Sequence, residues 1–305
     1  MQSWSEIWRH WRRQIKSSAP FVRRREYQIM QRKYAQLIES ISGLATPATE
    51  ARLGIRKPLR QELEGEVCLF VTYAAQPELK THVIHHIAHL LEAGIQVILI
   101  YNTDLATETL IIDTVLEARL SGVLVRENTG FDFGAWAHTY SLLDRRRLQR
   151  LYLINDSIVG PLDYTRFIRM MERIRASNAD FIGLTESLAP TRHLQSYFMV
   201  FNRTALLNSG VNKFIRNILN FPDKGQVVDI YEVNLTKQLC ALGLNFEALF
   251  PALSSDFNNS DDTSTRWEQL LSIGFPYLKT RIIQQFPRNR QIQAIREQGK
   301  VDKQI

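Results

Sequence analysis

Cysteine and long apolar runs are scarce in this sequence, and each scarcity excludes a class of protein. The 305 residues include two cysteines, Cys68 and Cys240, which lie far apart within apolar runs. No metal-type cysteine spacing is present, so we expect two reduced thiols in the core of a cytoplasmic protein. No apolar run approaches the roughly 20 residues of a transmembrane helix, and the basic N-terminus lacks the apolar stretch of a secretory signal.

The centre of the chain has no excess of positive charge, although the net charge of the whole is +7. Residues 1–36 contain nine basic and two acidic residues, and residues 279–305 contain seven basic and two acidic residues. Residues 37–278 contain 22 basic and 27 acidic residues, a net charge of −5. A nucleic-acid-binding domain carries its positive charge on a face of the fold itself, so this distribution argues against nucleic acid as the partner.

Residues 1–41 are predicted to form a basic helical extension rich in tryptophan. Trp4, Trp8, Trp11 and Ile15 recur at helical spacing and share one face. One interpretation is an interfacial helix, with its Trp rings at the headgroups and its basic side chains on anionic lipid. The other is a helix that packs through the same face on protein. We favour the first, which makes the protein peripheral to the inner face of the cell membrane.

The rest of the chain is predicted to be a linker, one α/β domain and a tail. Glycines and prolines mark residues 42–65 as a linker, residues 66–280 form the domain, and residues 281–305 form a basic helical tail. Predicted strands cover 67–73, 96–102, 123–128, 151–156, 179–185 and 196–202, with helices over 78–92, 107–119 and 164–176. Apolar strands joined by crossover helices predict a mostly parallel sheet that is covered on both faces. The expected fold is therefore a Rossmann-like α/β/α sandwich.

The first polar cluster follows the third strand of the domain, where ligands of such sheets bind. Arg126, Asn128 and Asp132 lie beside Gly130 and Gly134, with aromatic residues between them. An Asp before a helix is also a helix cap, but capping does not account for the arginine, the asparagine and the two glycines. Glycine lets the backbone approach a ligand closely, so we predict that this cluster binds substrate.

Two further clusters are weaker when each is taken alone. Asn155, Asp156 and Ser157 end an apolar strand, where their oxygens suit a divalent cation and a diphosphate, but the same residues also build simple turns. Glu232 stands just before a helix, where a carboxylate is favoured electrostatically in any case. The polar and aromatic run 193–203, which includes Tyr197, is a candidate lining for an acceptor site.

Four histidines, by contrast, are predicted to be structural. His82, His85, His86 and His89 have a spacing that could chelate a metal from one helix face. The sequence offers no cysteine or other ligand class beside them, and the segment fits an ordinary crossover helix.

Taken together and in this order, the clusters resemble the rhamnan synthesis F family of polysaccharide-assembly proteins. The resemblance covers roughly Val67 to Lys279 and leaves residues 1–60 uncovered. It rests on N-T-G-F-D-F-G-A-W (128–136), L-I-N-D-S-I-V-G-P (153–161), S-Y-F-M-V-F (196–201), Y-E-V-N-L (231–235) and G-F-P-Y-L-K (274–279). It implies a glycosyltransferase with a GT-A type nucleotide-sugar fold, associated with rhamnose-containing polysaccharides.

The resemblance also implies roles for single residues. Asn155, Asp156 and Ser157 stand at the place of the D-x-D motif that holds metal and diphosphate, which assigns a divalent cation, Mg²⁺ or Mn²⁺, to Asp156. Asn155 replaces a carboxylate there, so the need for a metal stays open. Glu232 falls where inverting members of the wider fold carry the catalytic base, and Asp132 is the next candidate for that base.

The expected reaction is transfer of a sugar, rhamnose or a similar deoxyhexose, with inversion. The donor is a nucleotide sugar and the acceptor a growing cell-surface polysaccharide or lipid-linked glycan. Asn128 and Asp132 would position the donor, while a metal at Asp156, or Arg126 or another basic group, neutralises the diphosphate. The alternative is a catalytically inactive scaffold that binds glycan or nucleotide in a synthesis complex, and the departure at Asn155 keeps that alternative open.

Overall fold

The computed structural model describes residues 45–255 and 261–297. The predicted helical extension over residues 1–41 lies outside these ranges, as do residues 256–260 and 298–305. The compact unit that carries the fold is Pro47–Ile305. Within the described ranges, none of the helices is long and apolar enough to cross a membrane.

Strands and helices alternate along most of this unit. The strands are β1 (Thr46–Pro47), β2 (Leu53–Lys57), β3 (Gly65–Tyr73), β4 (Gln96–Asn102), β5 (Gly122–Arg126), β6 (Leu148–Asn155), β7 (Ile158–Val159), β8 (Phe181–Ser187), β9 (His193–Leu194), β10 (Phe198–Asn202), β11 (Leu219–Asn220), β12 (Phe246–Phe250) and β13 (Leu278–Lys279). The α-helices are α1 (Thr81–Glu92), α2 (Thr114–Arg119), α3 (Phe131–Tyr140), α4 (Tyr164–Ala176), α5 (Arg203–Leu207), α6 (Ser209–Arg216), α7 (Lys224–Val227), α8 (Val233–Ala241), α9 (Asp262–Thr265), α10 (Trp267–Ser272), α11 (Thr280–Gln285) and α12 (Arg290–Glu297). A π-helix, Val228–Glu232, joins α7 to α8.

The central sheet is mostly parallel, and helices connect many of its strands, as the sequence predicts. Its strand order is β12-β8-β10-β6-β3-β4-β5-β2, and β9 pairs with β8 beside this path. Strands β6, β3, β4 and β5 are mutually parallel, and β8 is parallel to β12. β10 runs antiparallel to both of its neighbours, and the edge strand β2 runs antiparallel to β5.

Alternate residues of β3 divide the core between the two faces of the sheet. Cys68 and Phe70 belong to the large cluster that also contains the apolar sides of α1, α2 and α4. Trp136 of α3 is buried and donates its indole N–H to the carbonyl oxygen of Leu69 at 3.2 Å. Because both faces are covered, the strands are apolar along nearly their whole length, which explains their continuous hydrophobic runs.

The predicted linker over residues 42–65 is wrong at its centre, where β2 adds an edge to the sheet. Arg56 forms an ion pair with Glu117 at 2.9 Å. Lys57 donates to three carbonyl oxygens at the end of α2, where a cation is favoured by the helix dipole. A short edge strand that contains glycine and two basic residues is hard to distinguish from a loop in the sequence.

The predicted helix over 107–119 is wrong in its first half. A 3-10 turn, Thr107–Thr109, comes first, and α2 begins only after Asp113. The side chain of Asp113 caps the helix by accepting from the backbone N–H of Leu116 at 2.9 Å. An Asp at this position starts a helix instead of continuing one.

The prediction of two core thiols holds for Cys68 and is wrong for Cys240. Cys68 is fully buried, but Cys240 is exposed near the end of α8. The apolar run around Cys240 is one face of an amphipathic helix, and Leu239 takes the buried position.

The predicted C-terminal tail forms helices α11 and α12, and these helices belong to the domain. They contribute to an apolar cluster that also includes residues of β7, β13 and α10. Its buried members are Val159, Trp267, Leu278, Ile282, Ile283, Ile292 and Ile295. This packing holds β13 against β7, so the described part of the tail supports the sheet edge that follows β6.

Candidate functional site

The chain changes sides in the sheet after β5. From β3 it adds β4 and then β5 in one direction, and it then crosses to β6 on the other side of β3. Val71 of β3 lies opposite Asn155 of β6, so Tyr73 and Asp156 follow at the same sheet edge. Open α/β sheets bind ligands at such a switch point, beyond the carboxyl ends of the strands.

Asp156 fastens the end of β6 to its neighbours. Its Oδ2 accepts hydrogen bonds from the hydroxyl of Thr72 at 2.7 Å, the backbone N–H of Tyr73 at 3.2 Å and the ammonium of Lys80 at 2.6 Å. The Nε2 of His82 lies 3.0 Å from the Asp156 carbonyl oxygen. The carboxylate is therefore held in one orientation by groups from β3 and from the start of α1.

The other histidines of α1 also contact protein groups, as the structural interpretation predicts. His85 reaches the carbonyl oxygen of Pro161 at 2.9 Å, and fully buried His86 lies 3.0 Å from the hydroxyl of Tyr277. Burial lowers the pKa of His86, so this ring is neutral at physiological pH. These contacts pack α1 against the segments after β6 and before β13.

Asp132 and Asn155 connect the first turn of α3 to the end of β6. Asn155 donates from its amide nitrogen to Asp132 Oδ2 at 2.8 Å, and its amide oxygen accepts from the N–H and hydroxyl of Ser157 at 3.1 and 2.7 Å. Burial and then the charge of Asp156 raise the pKa of Asp132 to about 6. A carboxyl group with such a pKa can bind and release a proton near neutral pH.

Glu232 reaches the same place from a different segment. It is the last residue of the π-helix, and π-turns are frequent at functional sites. Its Oε2 accepts from the backbone N–H of Ser196 at 3.2 Å and also from the Ser196 hydroxyl. His193 Nε2 lies 3.9 Å from Oε1. The carboxylate is thereby fixed by the segment between β9 and β10.

These groups face a cavity of about 620 Å³ at the carboxyl edge of the sheet. Its wall combines carboxylates, amides, hydroxyls, aromatic rings and cations. The lining residues are Tyr73, Asn102, Asn128, Phe131, Asp132, Phe133, Asn155, Asp156, Ser157, Gln195, Ser196, Tyr197, Lys224, Val227, Val228, Glu232, Asp261, Lys279, Thr280 and Arg281. Such a wall suits a polar ligand that also presents flat apolar surfaces.

Comparison with known proteins assigns the family. Residues 97–303 match the family described as rhamnan synthesis protein F, which is more than half of the chain. The chain belongs to this family. The matched range includes β4 to α12 and therefore most of the cavity wall.

Individual relatives of this rhamnan synthesis protein F member are distant. Virulence protein VirA of Vibrio anguillarum is 27% identical over 195 residues, which are 53% of this chain and 62% of VirA. The uncharacterized protein y4gN of Sinorhizobium fredii is 25% identical over 201 residues, which are 63% of this chain and 50% of y4gN. The alignments thus cover less than two thirds of either relative.

Among solved structures, a chain from Desulfovibrio desulfuricans described as a candidate nucleotide-diphospho-sugar transferase is similar. It shares 11% identity with a TM-score of 0.36, over 70% of this chain and 97% of the other. A similarity at this TM-score decides neither the fold nor the function.

Most of the site residues predicted from the sequence line this cavity of the family member. They are Asn128, Asp132, Asn155, Asp156, Ser157, Tyr197 and Glu232. Tyr197 is nearly fully buried, and its hydroxyl lies 2.5 Å from the hydroxyl of Thr185, so its ring face and not its hydroxyl is what the wall offers. Their roles toward a ligand stay predictions.

Arg126 and Gly130 lie outside the cavity lining, and the structure gives both a packing role. The buried guanidinium of Arg126 donates to the carbonyl oxygens of Ala48 and Thr129 and to Oδ1 of Asn220. Gly130 has a φ of +69°, and a Cβ there would lie 2.3 Å from the same Asn220 oxygen. These contacts brace the turn before α3, which carries Asp132, and the substrate-binding role of Arg126 and Gly130 stays a prediction.

The contacts of the N-D-S triplet fit an ion pair better than a divalent cation at Asp156. Oδ2 of Asp156 is already paired with the ammonium of Lys80, and the amide oxygen of Asn155 is taken by Ser157. In residues 45–255 and 261–297, no cluster of three or more His, Cys, Asp or Glu side chains is arranged to hold a metal ion. The divalent cation at Asp156 stays a prediction, which metal titration tests.

Four charged residues of the wall were not predicted: Lys224, Asp261, Lys279 and Arg281. Arg281 forms an ion pair with Asp261, which also accepts from Gln195 at 3.2 Å. Burial opposes ionisation of Asp261, but hydrogen bonding and the charge of Arg281 outweigh it and lower the pKa. The signal available was the G-F-P-Y-L-K motif, which ends at Lys279, but nothing in the sequence showed that β13 pairs beside the N-D-S turn.

Proposed function

We propose that this chain is a glycosyltransferase of the GT-A type that takes a sugar from a nucleoside diphosphate. The acceptor is a growing polysaccharide or a lipid-linked glycan. Rhamnose or a similar deoxyhexose is the favoured sugar, because the description of the family names rhamnan synthesis. Membership of that family and the chemistry of the cavity support this proposal.

The observation that carries the proposal is the convergence of unlike groups in one cavity at the switch point. Asp132, Asp156, Glu232 and Lys279 come from four separate segments and share a wall with aromatic rings. Carboxylates suit sugar hydroxyls and proton transfer, cations suit phosphate oxygens, and aromatic faces suit bases and pyranose rings. A nucleotide sugar and its acceptor present all of these groups.

In the proposed reaction Glu232 is the base. It takes the proton of the acceptor hydroxyl while that oxygen attacks the anomeric carbon, and the nucleoside diphosphate leaves from the opposite side. Both hydrogen bonds from Ser196 fall on Oε2 of Glu232, so Ser196 orients the carboxylate. Asn128 and Asp132 position the donor from the turn before α3 and from its first turn.

A thermal-shift panel of nucleotide sugars tests this proposal, with each compound measured in EDTA, in Mg²⁺ and in Mn²⁺. A specific ligand at 100 times its Kd stabilises a protein by about 2.7 kcal/mol, which raises Tm by several degrees for a domain of this size. Each nucleotide sugar that raises Tm is then incubated with the protein and glycan acceptors, and the transfer product is measured. The proposal fails when no nucleotide sugar raises Tm.

A catalytically inactive binding module is the second candidate. The observation that favours it is the N-D-S triplet, in which Asn155 replaces a carboxylate and Asp156 is paired with Lys80. Such a module would bind a nucleotide sugar and neither hydrolyse nor transfer it. Turnover that disappears in Asp156→Ala but survives in an exposed control such as Asp104→Ala would exclude this candidate.

We also propose that residues 1–41 attach the protein to the cytoplasmic face of an anionic membrane. Support comes from the sequence, in which residues 1–36 carry nine basic residues and two acidic ones. A lipid-linked acceptor would place the reaction at that surface.

A further inference from the structure

Strand β13 brings Lys279 to the wall of the cavity. This strand pairs antiparallel with β7, where Lys279 lies opposite Ile158. The next residue, Thr280, donates its backbone N–H to the carbonyl oxygen of Ser157 at 2.9 Å. Lys279 is thus fixed beside the N-D-S turn, although 122 residues separate it from Ser157 in the sequence.

The ammonium of Lys279 contacts an aromatic ring and a hydroxyl group in the cavity wall. Its Nζ lies 3.9 Å from the centre of the Tyr197 ring and 3.5 Å from the hydroxyl of Ser157. Burial lowers its pKa to about 8, although the charges of Glu232 and Asp261 act in the other direction. An ammonium held by a ring face and one long hydrogen bond retains donor capacity for a ligand.

The other cations near the site have carboxylate partners or lie in the open. Lys80 is paired with Asp156 at 2.6 Å, and Arg281 is paired with Asp261. Lys224 lines the cavity from the start of α7 but is exposed to solvent. Lys279 and Lys80 are both partly buried, but Lys80 is paired with Asp156. A charge that is shielded from water interacts more strongly with a ligand.

We propose that Lys279 is the main anion-binding residue of the cavity and that its ammonium binds the diphosphate of the donor. This inference rests on the proposed function. When the bond between the anomeric carbon and the diphosphate oxygen breaks, its electron pair stays on that oxygen, and Lys279 stabilises the charge. The bond from the acceptor oxygen forms on the other side, and the acceptor proton goes to Glu232. Lys224 and Arg281 are the secondary cations.

The test measures binding of nucleoside diphosphates without sugar to the full chain by calorimetry, in the presence of EDTA. The probes are UDP, dTDP, GDP and the matching nucleosides, and the variants are Lys279→Gln, Lys279→Arg and the exposed control Lys213→Gln. Loss of one charge-assisted contact weakens binding by about tenfold or more. We expect this loss in Lys279→Gln, a smaller loss in Lys279→Arg, and no change in Lys213→Gln or in nucleoside binding.

A second measurement needs no variant, so it holds even if Lys279→Gln does not fold. For the wild type, the affinity for the diphosphate should fall as pH rises from 7 to 9.5, because the ammonium that binds it loses its proton. Unchanged diphosphate affinity in a folded Lys279→Gln, affinity that is flat across this pH range, or wild-type binding that requires Mg²⁺ or Mn²⁺ would each overturn the assignment to Lys279. Failure of the wild type to bind any probe, in EDTA and equally in Mg²⁺ or Mn²⁺, would overturn the proposed function itself.

Discussion

At the scale of single residues, the buried carboxyl group of Asp132 is expected to lower the free energy of unfolding at neutral pH. Burial and the neighbouring Asp156 raise its pKa to about 6, from an ordinary value of 3.8. In the folded state the carboxyl group therefore holds a proton more tightly than in the unfolded chain. The free energy of unfolding must then fall as pH rises from about 4 to about 6, and the full cost is present at pH 7.

Asp132→Asn should remove that cost. We expect the variant to exceed the wild type in unfolding free energy by about 1 to 3 kcal/mol at pH 7.5, since one pKa unit corresponds to about 1.36 kcal/mol. The difference should vanish below about pH 4, where the wild-type carboxyl group is protonated in both states. Urea denaturation at a series of pH values measures it. Equal stability of the two proteins at pH 7.5 would mean that Asp132 is not a buried charge.

Glu232→Gln tests the proposed base with little change in size or hydrogen bonding. We expect donor binding to persist while transfer slows by roughly 100-fold or more, the usual contribution of a general base. Glu92→Gln, at the exposed end of α1, is the matched control and should transfer at the wild-type rate. If Glu232→Gln is also near normal, the base lies elsewhere, and Asp132 becomes the candidate.

At the scale of elements, the turn from β5 into α3 depends on Gly130. Gly130 and Gly94 share the left-handed backbone, with φ of +69° and +82°. A Cβ on Gly94 meets nothing within 4 Å, whereas a Cβ on Gly130 would lie 2.8 Å from the Cα of Asn220. The Cα of Asn220 is a backbone atom, so rotation of a side chain cannot relieve this contact.

The pair Gly130→Ala and Gly94→Ala therefore separates backbone strain from steric clash. We expect Gly94→Ala to lose about 1 kcal/mol of unfolding free energy, the cost of left-handed backbone alone. Gly130→Ala adds overpacking and should lose about 2 to 5 kcal/mol. Chemical denaturation of both variants compares them, and equal losses would show that Asn220 yields without cost.

The regular elements of the domain could be predicted because their sequence signals are local. β4 and α4 have the predicted bounds, 96–102 and 164–176, since an apolar strand before a turn and an amphipathic helix carry their own periodicity. β2 was missed because its identity as a strand comes from pairing with β5, and pairing between distant segments leaves no local pattern. Propensity alone cannot recover such a contact.

Part of the candidate site could also be predicted from the sequence, again where the signal is local. Asp132 and Asp156 follow apolar strands, so the rule for open sheets places them at the ligand edge. Arg126 looks like a ligand-binding residue in the same motif, but its partners include Asn220, which is 94 residues away. Lys279 had no such rule, because its place depends on the pairing of β13 with β7.

At the scale of the whole molecule, the distribution of charge separates two tasks. Residues 37–278 carry a net charge of −5, yet the cavity wall gathers Lys224, Lys279 and Arg281, of which the last two come from the basic C-terminal segment. That basic segment therefore contributes to the site and not only to the surface. For the N-terminal excess, which lies outside the described residues, we expect a partner beyond the fold.

We expect that partner to be an anionic membrane. Each basic side chain near such a surface contributes about 1 kcal/mol, and residues 1–36 hold nine basic against two acidic residues, with three Trp rings at helical spacing. Salt screens this attraction, because the Debye length shortens as ionic strength rises. Binding should therefore weaken as the NaCl concentration increases from roughly 0.05 to 0.5 M.

Co-sedimentation with liposomes tests this predicted binding to an anionic membrane. The full chain should pellet with vesicles that contain about 30% anionic lipid and remain in solution with neutral vesicles, because the attraction is electrostatic. A variant with Arg9, Arg12 and Arg13 changed to Gln should pellet less, and a shortened chain of residues 42–305 should stay in solution. If the Trp face packs on protein instead, the shortened chain will pellet as the full chain does and its Tm will fall, since apolar surface is then exposed.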